Sequence, residues 1–263
     1  SSNALTIQLG SGNKGYNTQL ETASANAVIF QDGTSNVAQN VQGEADNSLA
    51  LIAQDGAGNN AVNIQAYGSN AALALAIQNG DGNDAFNYQG GTAAGLLGDG
   101  DAAATASLAA IYQNGDNNTA TNAQGAGVVV IGNSSVPAAV AGAPVIGSAA
   151  LAVQTGDGNT STNIQGGPIP IIEDAIALPG PVLASLALNV QDGDGDTASN
   201  IQIGTIGAVA ANIQAGGPGD KAAVTQTASL GVLGVNYQDG SGNTAGISQH
   251  LAMLSAAAQV QVG

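Results

Sequence analysis

The chain has 263 residues, of which 39 are glycine, 3% are aromatic and only 8% are charged. Its 2 Lys and Arg against 18 Asp and Glu give a formal net charge of −16, which excludes nucleic-acid binding through phosphate neutralisation and disfavours an anionic membrane surface. Without cysteine it forms neither a disulfide nor a thiolate metal site, and it has no apolar run of the roughly 18 residues that a spanning helix needs.

One motif, Q-x-G-x-x-N-x-A-x-x-x-Q, recurs along the chain, and residues 54–65, QDGAGNNAVNIQ, are a complete copy. The opening glutamines are Gln8, Gln31, Gln54, Gln78, Gln113, Gln154, Gln191, Gln214, Gln238 and Gln261. The glycines two residues later are Gly10, Gly33, Gly56, Gly80, Gly115, Gly156, Gly193, Gly216, Gly240 and Gly263. The closing glutamines are Gln19, Gln42, Gln65, Gln89, Gln124, Gln165, Gln202, Gln226 and Gln249. Opening glutamines are spaced by 23, 23, 24, 35, 41, 37, 23, 24 and 23 residues, and a unit of about 23 residues is typical of a solenoid with stacked coils.

Each unit is predicted to hold two strands. The first is an alternating run rich in β-formers that ends at the opening glutamine, such as SLALIAQ at 48–54. A turn rich in Gly, Asp and Asn follows, and its glycine supplies the positive φ that a tight reversal needs. The second strand, such as NNAVNIQ at 59–65, ends at the closing glutamine. Because a glycine-rich break recurs every half unit, the sequence predicts an all-β solenoid of about nine and a half coils, two strands per coil, and not helices.

Stacked amide side chains are predicted to hold the coils together. Side chains alternate faces along a strand, so equivalent inward residues stack at about 4.8 Å, and each amide donates to one neighbouring coil and accepts from the other. Besides the glutamines, the predicted rungs are the asparagines five residues after the opening Gln: Asn13, Asn36, Asn59, Asn83, Asn118, Asn159 and Asn243. Asp196 replaces this Asn in the seventh copy, and the eighth copy, one residue longer, is out of register. Nine residues after the opening Gln, seven copies carry a further Asn: Asn17, Asn40, Asn63, Asn87, Asn122, Asn163 and Asn200.

A single domain over residues 1–263 is predicted, with three insertions at about 90–106, 125–147 and 166–184 on one corner of consecutive coils. The outward positions of the first strands are apolar, as in Leu49 and Leu51, and a strand apolar on both faces is normally buried on both. Two interpretations stay open: the insertions fold over this face, or the face makes a lateral contact between filaments or subunits. The outward positions of the second strands are more polar, and we expect them to meet water.

The stretch SAAAQVQVG at 255–263 forms only half a coil. We expect the strand of residues 2–8 from another copy to complete that coil, so that each subunit continues the solenoid of its neighbour. Such a joint is heterologous and does not close on itself, and it therefore yields fibres.

The residues that could carry other chemistry are few, and the sequence predicts no catalytic site, no metal site and no cofactor. His250 has no cysteine and no basic residue nearby in the sequence, whereas a catalytic histidine needs an orienting partner and a nucleophile within reach, so we expect it to be solvated. DGDGD at 192–196 suggests calcium, but the nine-residue period of calcium-binding β-rolls is missing, which favours acidic turns. Stacked carboxylates in these turns predict that acid or divalent cations accelerate assembly. The T-x-T pairs at 119/121 and 160/162, with Thr197 and Ser199 in the next coil, resemble the threonine arrays of ice-binding solenoids, over three coils only.

The full pattern, S-x5-Q-x-G-x-x-N-x-A-x3-Q, resembles the curlin repeat of curli-type major fibre subunits. Its serine is present as Ser2, Ser48, Ser107, Ser148, Ser185 and Ser255. The resemblance implies a secreted bacterial protein that assembles into functional amyloid in the biofilm matrix, with itself, a nucleator and secretion components as partners. Nine and a half repeats and three insertions depart from the roughly five uninterrupted repeats usual in that family. The alternative is a monomeric β-solenoid that binds ice or calcium.

Overall fold

A computed structural model describes residues 2–66, 68–90, 104–125, 127–129, 138–140, 145–166 and 182–263. Within these ranges the regular secondary structure is entirely β, and no helix long and apolar enough to cross a membrane is found in them. The first twelve strands are β1 (Asn3–Gln8), β2 (Lys14–Leu20), β3 (Asn26–Thr34), β4 (Val37–Gly43), β5 (Leu49–Ala57), β6 (Asn60–Ala66), β7 (Leu73–Asn79), β8 (Asp84–Gly90), β9 (Ala104–Thr105), β10 (Leu108–Asn114), β11 (Thr119–Gln124) and β12 (Gly127–Val129). The other twelve are β13 (Ala138–Val140), β14 (Val145–Ile146), β15 (Ala149–Thr155), β16 (Thr160–Gln165), β17 (Val182–Leu183), β18 (Leu186–Asp192), β19 (Thr197–Ile203), β20 (Val209–Gly216), β21 (Lys221–Thr227), β22 (Leu233–Gly240), β23 (Thr244–His250) and β24 (Ala256–Val262).

Two long parallel sheets face each other across the molecule. The first sheet has ten strands in the order β1-β3-β5-β7-β10-β15-β18-β20-β22-β24. The second sheet has nine in the order β2-β4-β6-β8-β11-β16-β19-β21-β23. One strand of each sheet makes a coil, so coil 1 is β1 with β2, coil 5 is β10 with β11, coil 7 is β18 with β19, coil 9 is β22 with β23, and coil 10 is β24. Equivalent residues pair in register, as Gln8 does with Gln31 and Gln19 with Gln42, which confirms the predicted β-solenoid.

A third, shorter column of β-bridges follows the second strand of each coil from coil 2 to coil 9, and it begins with the pairing of Asp46 with Asn70 and of Asn70 with Thr105. β9, β14 and β17 form a three-stranded parallel sheet, and isolated bridges continue the column from Leu183 through Ile206 and Leu230 to Met253. Two strands per coil were predicted, and this column adds a brief third pairing at the second arc. An additional two-stranded antiparallel sheet, β12 with β13, lies within the second insertion.

The core between the two sheets is thin because its inward residues are small or are amides. Columns of alanine, such as Ala27, Ala50 and Ala74 in the first sheet, are fully buried. The largest fully buried side chains are three isoleucines, Ile29, Ile52 and Ile111, together with ladder glutamines. Small side chains let the sheets approach closely, so the amide groups of one wall reach the backbone of the other.

The first arc of each coil depends on its turn glycine. Eight of the ten predicted glycines have positive φ, for example Gly33 at 106° and Gly115 at 127°. A Cβ added to Gly33 would collide with the carbonyl oxygen of Gly56 in the next coil, so both φ and close stacking require glycine. Gly193 differs, because it is not among the positive-φ residues, and there the prediction of a positive φ is wrong.

The three insertions leave and re-enter the solenoid at one corner, between the end of a second-sheet strand and the third column. They leave the second sheet near Gly90, Gly125 and Gly166 and return at Ala104, Val145 and Val182, three residues that stack on one another in the core. Most insertion residues lie outside the described ranges. The expectation that the insertions cover the apolar outer face concerns those residues and stays a prediction.

Candidate functional site: the amide ladders and the sheet edges

The opening glutamines form a ladder along the first sheet, called here the opening ladder. From Gln8 to Gln261, each Nε2 donates to Oε1 of the next glutamine at 2.7–3.1 Å, without interruption. The second amide hydrogen reaches across the core, as in Gln54 Nε2 to the carbonyl oxygen of Val37, 3.0 Å away in the second sheet. The ladder therefore joins coil to coil and also one sheet to the other.

The closing glutamines form an equivalent ladder along the second sheet, called here the closing ladder. From Gln19 to Gln249, each Nε2 donates to the next Oε1 at 2.8–3.0 Å. Gln42 Nε2 also donates to the carbonyl oxygen of Asn26 in the first sheet. Both glutamine ladders thus run in one direction along the axis, which gives the solenoid a polarity.

The asparagines five residues after the opening glutamine stack, but not by the predicted amide-to-amide contact. Asn36 Oδ1 accepts from the backbone N–H of Asn59, and Asn36 Nδ2 donates to the carbonyl oxygen of Gly56. This corner column ties each side chain to the backbone of the next coil, because the turn brings peptide groups and not side chains into reach. The eighth copy, predicted to be out of register, places Asp220 here, since its extra residue is absorbed in the arc.

Two carboxylates in the corner column lack the donor that asparagine supplies. Asp196 and Asp220 are fully buried, and each accepts one backbone N–H at Oδ1. Oδ2 of each has no hydrogen-bond partner among the described residues. Burial raises the pKa of Asp196, as does the Asp220 carboxylate, against the lowering effect of the Asp220 backbone N–H. The ionised form of Asp196 is therefore disfavoured in the folded chain.

A fourth set of amides, the inner ladder, starts on the second sheet. From Asn17 through Asn40, Asn63, Asn87, Asn122 and Asn163 to Asn200, each Nδ2 donates back to the preceding Oδ1 at 2.9–3.1 Å. The same Nδ2 donates across the core to the first sheet, for example from Asn63 to the carbonyl oxygen of Leu51. This ladder was a predicted repeat of Asn, and from Asn40 onward its members are fully buried.

The inner ladder crosses from the second sheet to the first at coil 7. Asn200 Nδ2 donates to Oδ1 of Asn189 at 2.7 Å, within the same coil but from the opposite sheet. Asn212 Nδ2 then donates to both Asn189 and Asn200 at 3.0 Å, and Asn236 Nδ2 donates to Asn212 at 2.9 Å. Ser161, in a column that otherwise holds mainly alanine, accepts from Asn189 at the crossing. Beyond coil 7 the amide column therefore continues on the first sheet.

The apolar column crosses in the opposite direction. In coils 2–6 the buried apolar cluster includes Ile29, Ile52 and Ile111 of the first sheet, opposite the inner ladder. In coils 8 and 9 it contains Val224 and Ile247 of the second sheet, which stand where earlier coils have asparagine. Each coil from 2 to 9 thus carries an inner-ladder asparagine on at least one wall, and only coil 7 carries one on both.

Asn189, Asn212 and Asn236 are the site residues that sequence reasoning missed. They lie two residues before an opening glutamine, where the tenth copy has Gln259 and the other copies have Ile, Ala or Thr. The sequence signal that could have found them is a compensating change between two positions. The eighth and ninth copies lack the Asn nine residues after the opening glutamine, and they carry an Asn two residues before it. An amide that appears on one strand as another disappears from its partner indicates a ladder that changes sheets.

At each end of the described solenoid the ladders present unpaired groups. No described residue donates to Oε1 of Gln8 or Gln19, and no described residue accepts from Nε2 of Gln261. The buried Oδ1 of Asn236 and Nδ2 of Asn243 are likewise without partners among the described residues. One end therefore offers acceptors and the other offers donors on the glutamine ladders.

The outer faces of the two sheets differ in chemistry. On the first sheet, three outward columns of mainly Leu, Ile, Val and Ala carry no charged residue, and side chains such as Leu49 and Leu233 are 37% and 41% exposed. On the second sheet, Thr119 pairs with Thr160 and Thr160 with Thr197, so the T-x-T pairs are in register over three coils. The first face favours contact with another apolar surface, whereas the second has hydroxyl groups at the surface.

The side chains that could serve in catalysis or metal binding, such as His250, do not form a cluster among the described residues. His250 is exposed and its Nδ1 shares a hydrogen bond with Thr227 Oγ1 in the neighbouring strand. Within the described ranges no group of three or more His, Asp or Glu side chains lies close enough to hold a metal ion. Burial among Ile64 and Phe86 raises the pKa of Tyr88 to about 12, which keeps that phenol protonated at neutral pH.

Together, fold and site define a parallel β-solenoid built on side-chain amide ladders. No protein-family model matches the sequence, and no curated protein matches it either.

Proposed function

We propose that the chain is a structural subunit of an extracellular, curli-type amyloid fibre that serves biofilm matrix, adhesion and surface attachment. It polymerises head to tail, each subunit continuing the solenoid of the one before it, and it performs no catalysis. The motif's resemblance to the curlin repeat supports this family and location. A nucleator and secretion components are the further partners that the resemblance implies.

The observation that carries the proposal is the translational identity of the contacts between coils. The opening ladder makes the same hydrogen bond at nine successive coil boundaries, and the closing ladder does so at eight. The donors left at β24 and the acceptors left at β1 and β2 are the two halves of that same bond. A strand edge whose unpaired groups match the opposite edge of its own copy favours open-ended stacking.

Lateral pairing of filaments through the outer face of the first sheet is the second contact we propose. Ten strands at about 4.8 Å and six residues at about 3.4 Å give a face of roughly 1,000 Å², above the roughly 800 Å² per partner of a stable interface. The three outward columns carry no charged residue although the chain's net charge is −16, and the aspartates of this sheet, Asp32, Asp55, Asp192 and Asp239, lie past the ladder glutamines at the edge of the face.

Electron microscopy of the purified chain under native conditions tests the proposal. Unbranched filaments about one coil wide, singly or in lateral pairs, are the expected result. A persistently monodisperse monomer contradicts it and favours the alternative of a monomeric solenoid that binds ice or calcium.

Deletion of residues 255–263 tests which edge is used. Without β24, the first sheet loses the edge strand that pairs with β22, and elongation of seeded filaments is expected to slow sharply. An unchanged elongation rate contradicts joining through this edge. Matched seeds of the full chain control for nucleation.

A further inference from the structure

The two ends of the described solenoid carry their inner amides on opposite sheets. At coil 1 the inner amide is Asn17 on the second sheet, and Thr6 faces it from the first. At the other end the amides are Asn236 and, one strand further, Gln259 on the first sheet, while Ile247 lies on the second. The crossing at coil 7 produces this exchange.

Joining two copies without rotation sets unlike columns against each other. The first sheet would place Thr6 and then Ile29 of the next copy after Gln259, so the amide ladder would end against an apolar column. The second sheet would place the Asn17 column after Val224 and Ile247. A buried amide without partners costs roughly as much as a lost hydrogen bond, so this joint is disfavoured.

Joining the copies with a half turn about the fibre axis makes both columns continuous. The first sheet of one copy then continues as the second sheet of the next, and Gln259 is followed by Asn17 and Asn40. The second sheet continues as the first, and Ile247 is followed by Thr6 and Ile29. The glutamine ladders also join, because both run in the same direction along the axis.

We infer that successive subunits in the fibre are related by a half turn about its axis, and that the crossing of the inner ladder at coil 7 specifies this relation. The inference rests on the proposed fibre function. In the described chain Gln259 Oε1 accepts from the backbone N–H of Gly246 on the second sheet, and the buried Oδ1 of Asn236 has no donor. Donation from Gln259 Nε2 to Asn236 is the contact that a continued inner ladder adds.

The strand counts and arcs fit the same joint. In filaments of the 263-residue chain, whose sheets have ten and nine described strands, a half turn continues the ten-stranded sheet with the nine-stranded one and the reverse, so no strand position between two copies stays empty. The rise per subunit is then about 46 Å, nine and a half coils of about 4.8 Å. In coils 1, 2, 7 and 9 the first arc is one residue shorter than the second. The long first arc between Gln214 and Asp220 stacks on shorter arcs on both sides.

Disulfide cross-linking in filaments of the full 263-residue chain, which has no native cysteine, tests the half turn. Outward residues one before each ladder glutamine are Ile7, Thr18 and Val260, all exposed. A half turn sets Val260 beside Thr18 of the next copy, whereas an unrotated joint sets it beside Ile7. Neighbouring parallel strands hold equivalent Cα atoms about 4.8 Å apart, within disulfide range, while the same pairs within one chain are about 43 Å apart.

Filaments of the Val260→Cys, Thr18→Cys variant are expected to oxidise to a ladder of covalent oligomers on non-reducing gels, whereas Val260→Cys, Ile7→Cys filaments stay monomeric. Single-cysteine variants control for lateral contacts, because one cysteine allows dimers at most. The reverse pattern, equal cross-linking of both pairs, or filaments in which neither pair reacts overturns the half turn but leaves the fibre function standing. Failure of the parent chain to form filaments overturns both.

Discussion

Coils 2–6 and coils 8–9 have the same cross-section with the chemistry of the two walls exchanged. In coils 2–6 the second sheet carries the inner amide and the first carries Ile or Ala, as with Asn63 opposite Ile52. In coils 8 and 9 the first sheet carries the amide, as with Asn212 opposite Val224. The ladder, and not the wall, is what the fold maintains.

The exchange is tolerated because the two strands of a coil are near equivalents. Along the chain, the inward residues of each strand are first a small or polar residue, then in most coils alanine, then a variable residue and last the ladder glutamine. In coil 3 these are Ser48, Ala50, Ile52 and Gln54 on one strand, faced by an equivalent set ending at Gln65. An amide rung needs a neighbour above and below, so the ladder changes walls only at a coil that carries both, which is coil 7.

The largest expected effect comes from substituting the turn glycines, which tests whether the first arc of coil 7 differs in backbone conformation from that of the other coils. Gly115→Ala in coil 5 places a Cβ at a φ of 127° and against the carbonyl oxygen of Gly156. We expect a loss of roughly 2–6 kcal/mol in the free energy of unfolding, from strain and overpacking together. Gly193→Ala in coil 7, without positive φ, is expected to lose only the overpacking part, roughly 1–3 kcal/mol. Chemical denaturation measures both, and equal losses contradict a distinct arc at coil 7.

The next effect tests the exchange of walls directly. Asn212→Ile breaks the first-sheet segment of the inner ladder and leaves the amides of Asn189 and Asn236 short of partners, so we expect a loss of roughly 2–4 kcal/mol. Adding Val224→Asn extends the second-sheet segment from Asn200 by one coil, which moves the crossing. The double variant is expected to recover at least half of the loss.

A double-mutant cycle on these two positions gives the coupling energy. Val224→Asn alone is the matched control, since it adds an amide without removing one, and it is expected to destabilise the chain. Additive losses in the cycle contradict the idea that an amide on either wall serves the coil.

The corner column supplies a smaller, pH-dependent effect. Burial raises the pKa of Asp196, so the folded chain holds that proton more tightly than the unfolded chain does. The resulting stability is full below the ordinary Asp pKa and is lost as pH rises through the raised one. Asp196→Asn restores the amide donor of this column and is expected to raise the free energy of unfolding at neutral pH by roughly 1–3 kcal/mol.

Denaturation across pH measures this effect, with Asp192→Asn, at the exposed last residue of β18, as the control. The Asp196 variant should show a weaker loss of stability from acid to neutral pH than the parent chain. A parent whose stability rises over that interval, or a variant with the same pH slope, contradicts the assignment.

The smallest effect concerns the outer face of the second sheet. Thr121→Val changes an outward side chain in register with Thr162, and we expect less than about 0.5 kcal/mol in stability and no change in filament growth. Thioflavin-monitored elongation checks this. A marked slowing shows that the threonine columns take part in assembly.

Much of the fold follows from the sequence because each ladder position repeats in type and spacing. The glutamine ladders required only an alternating strand and an amide that recurs at one position, and the structure has both. The corner contacts were not predictable in kind, because whether Asn36 meets a side chain or a peptide group depends on the path of the turn. Ala71 and Ala184 adopt positive φ in the second arc, and this could not be predicted because positive φ is usually indicated by glycine and not by alanine. The crossing at coil 7 could be predicted only by comparing the positions of asparagine on both strands of each coil.

The central claim is that the ladders continue from one molecule into the next. Electron cryomicroscopy of filaments of the 263-residue chain tests it most directly, by following the glutamine rungs through the boundary between subunits. We predict rungs at about 4.8 Å on both walls without a missing strand, with the amide column of the first sheet passing into the second sheet of the following subunit. Filaments in which the rungs stop at the boundary, or in which subunits meet only through their faces, contradict the account.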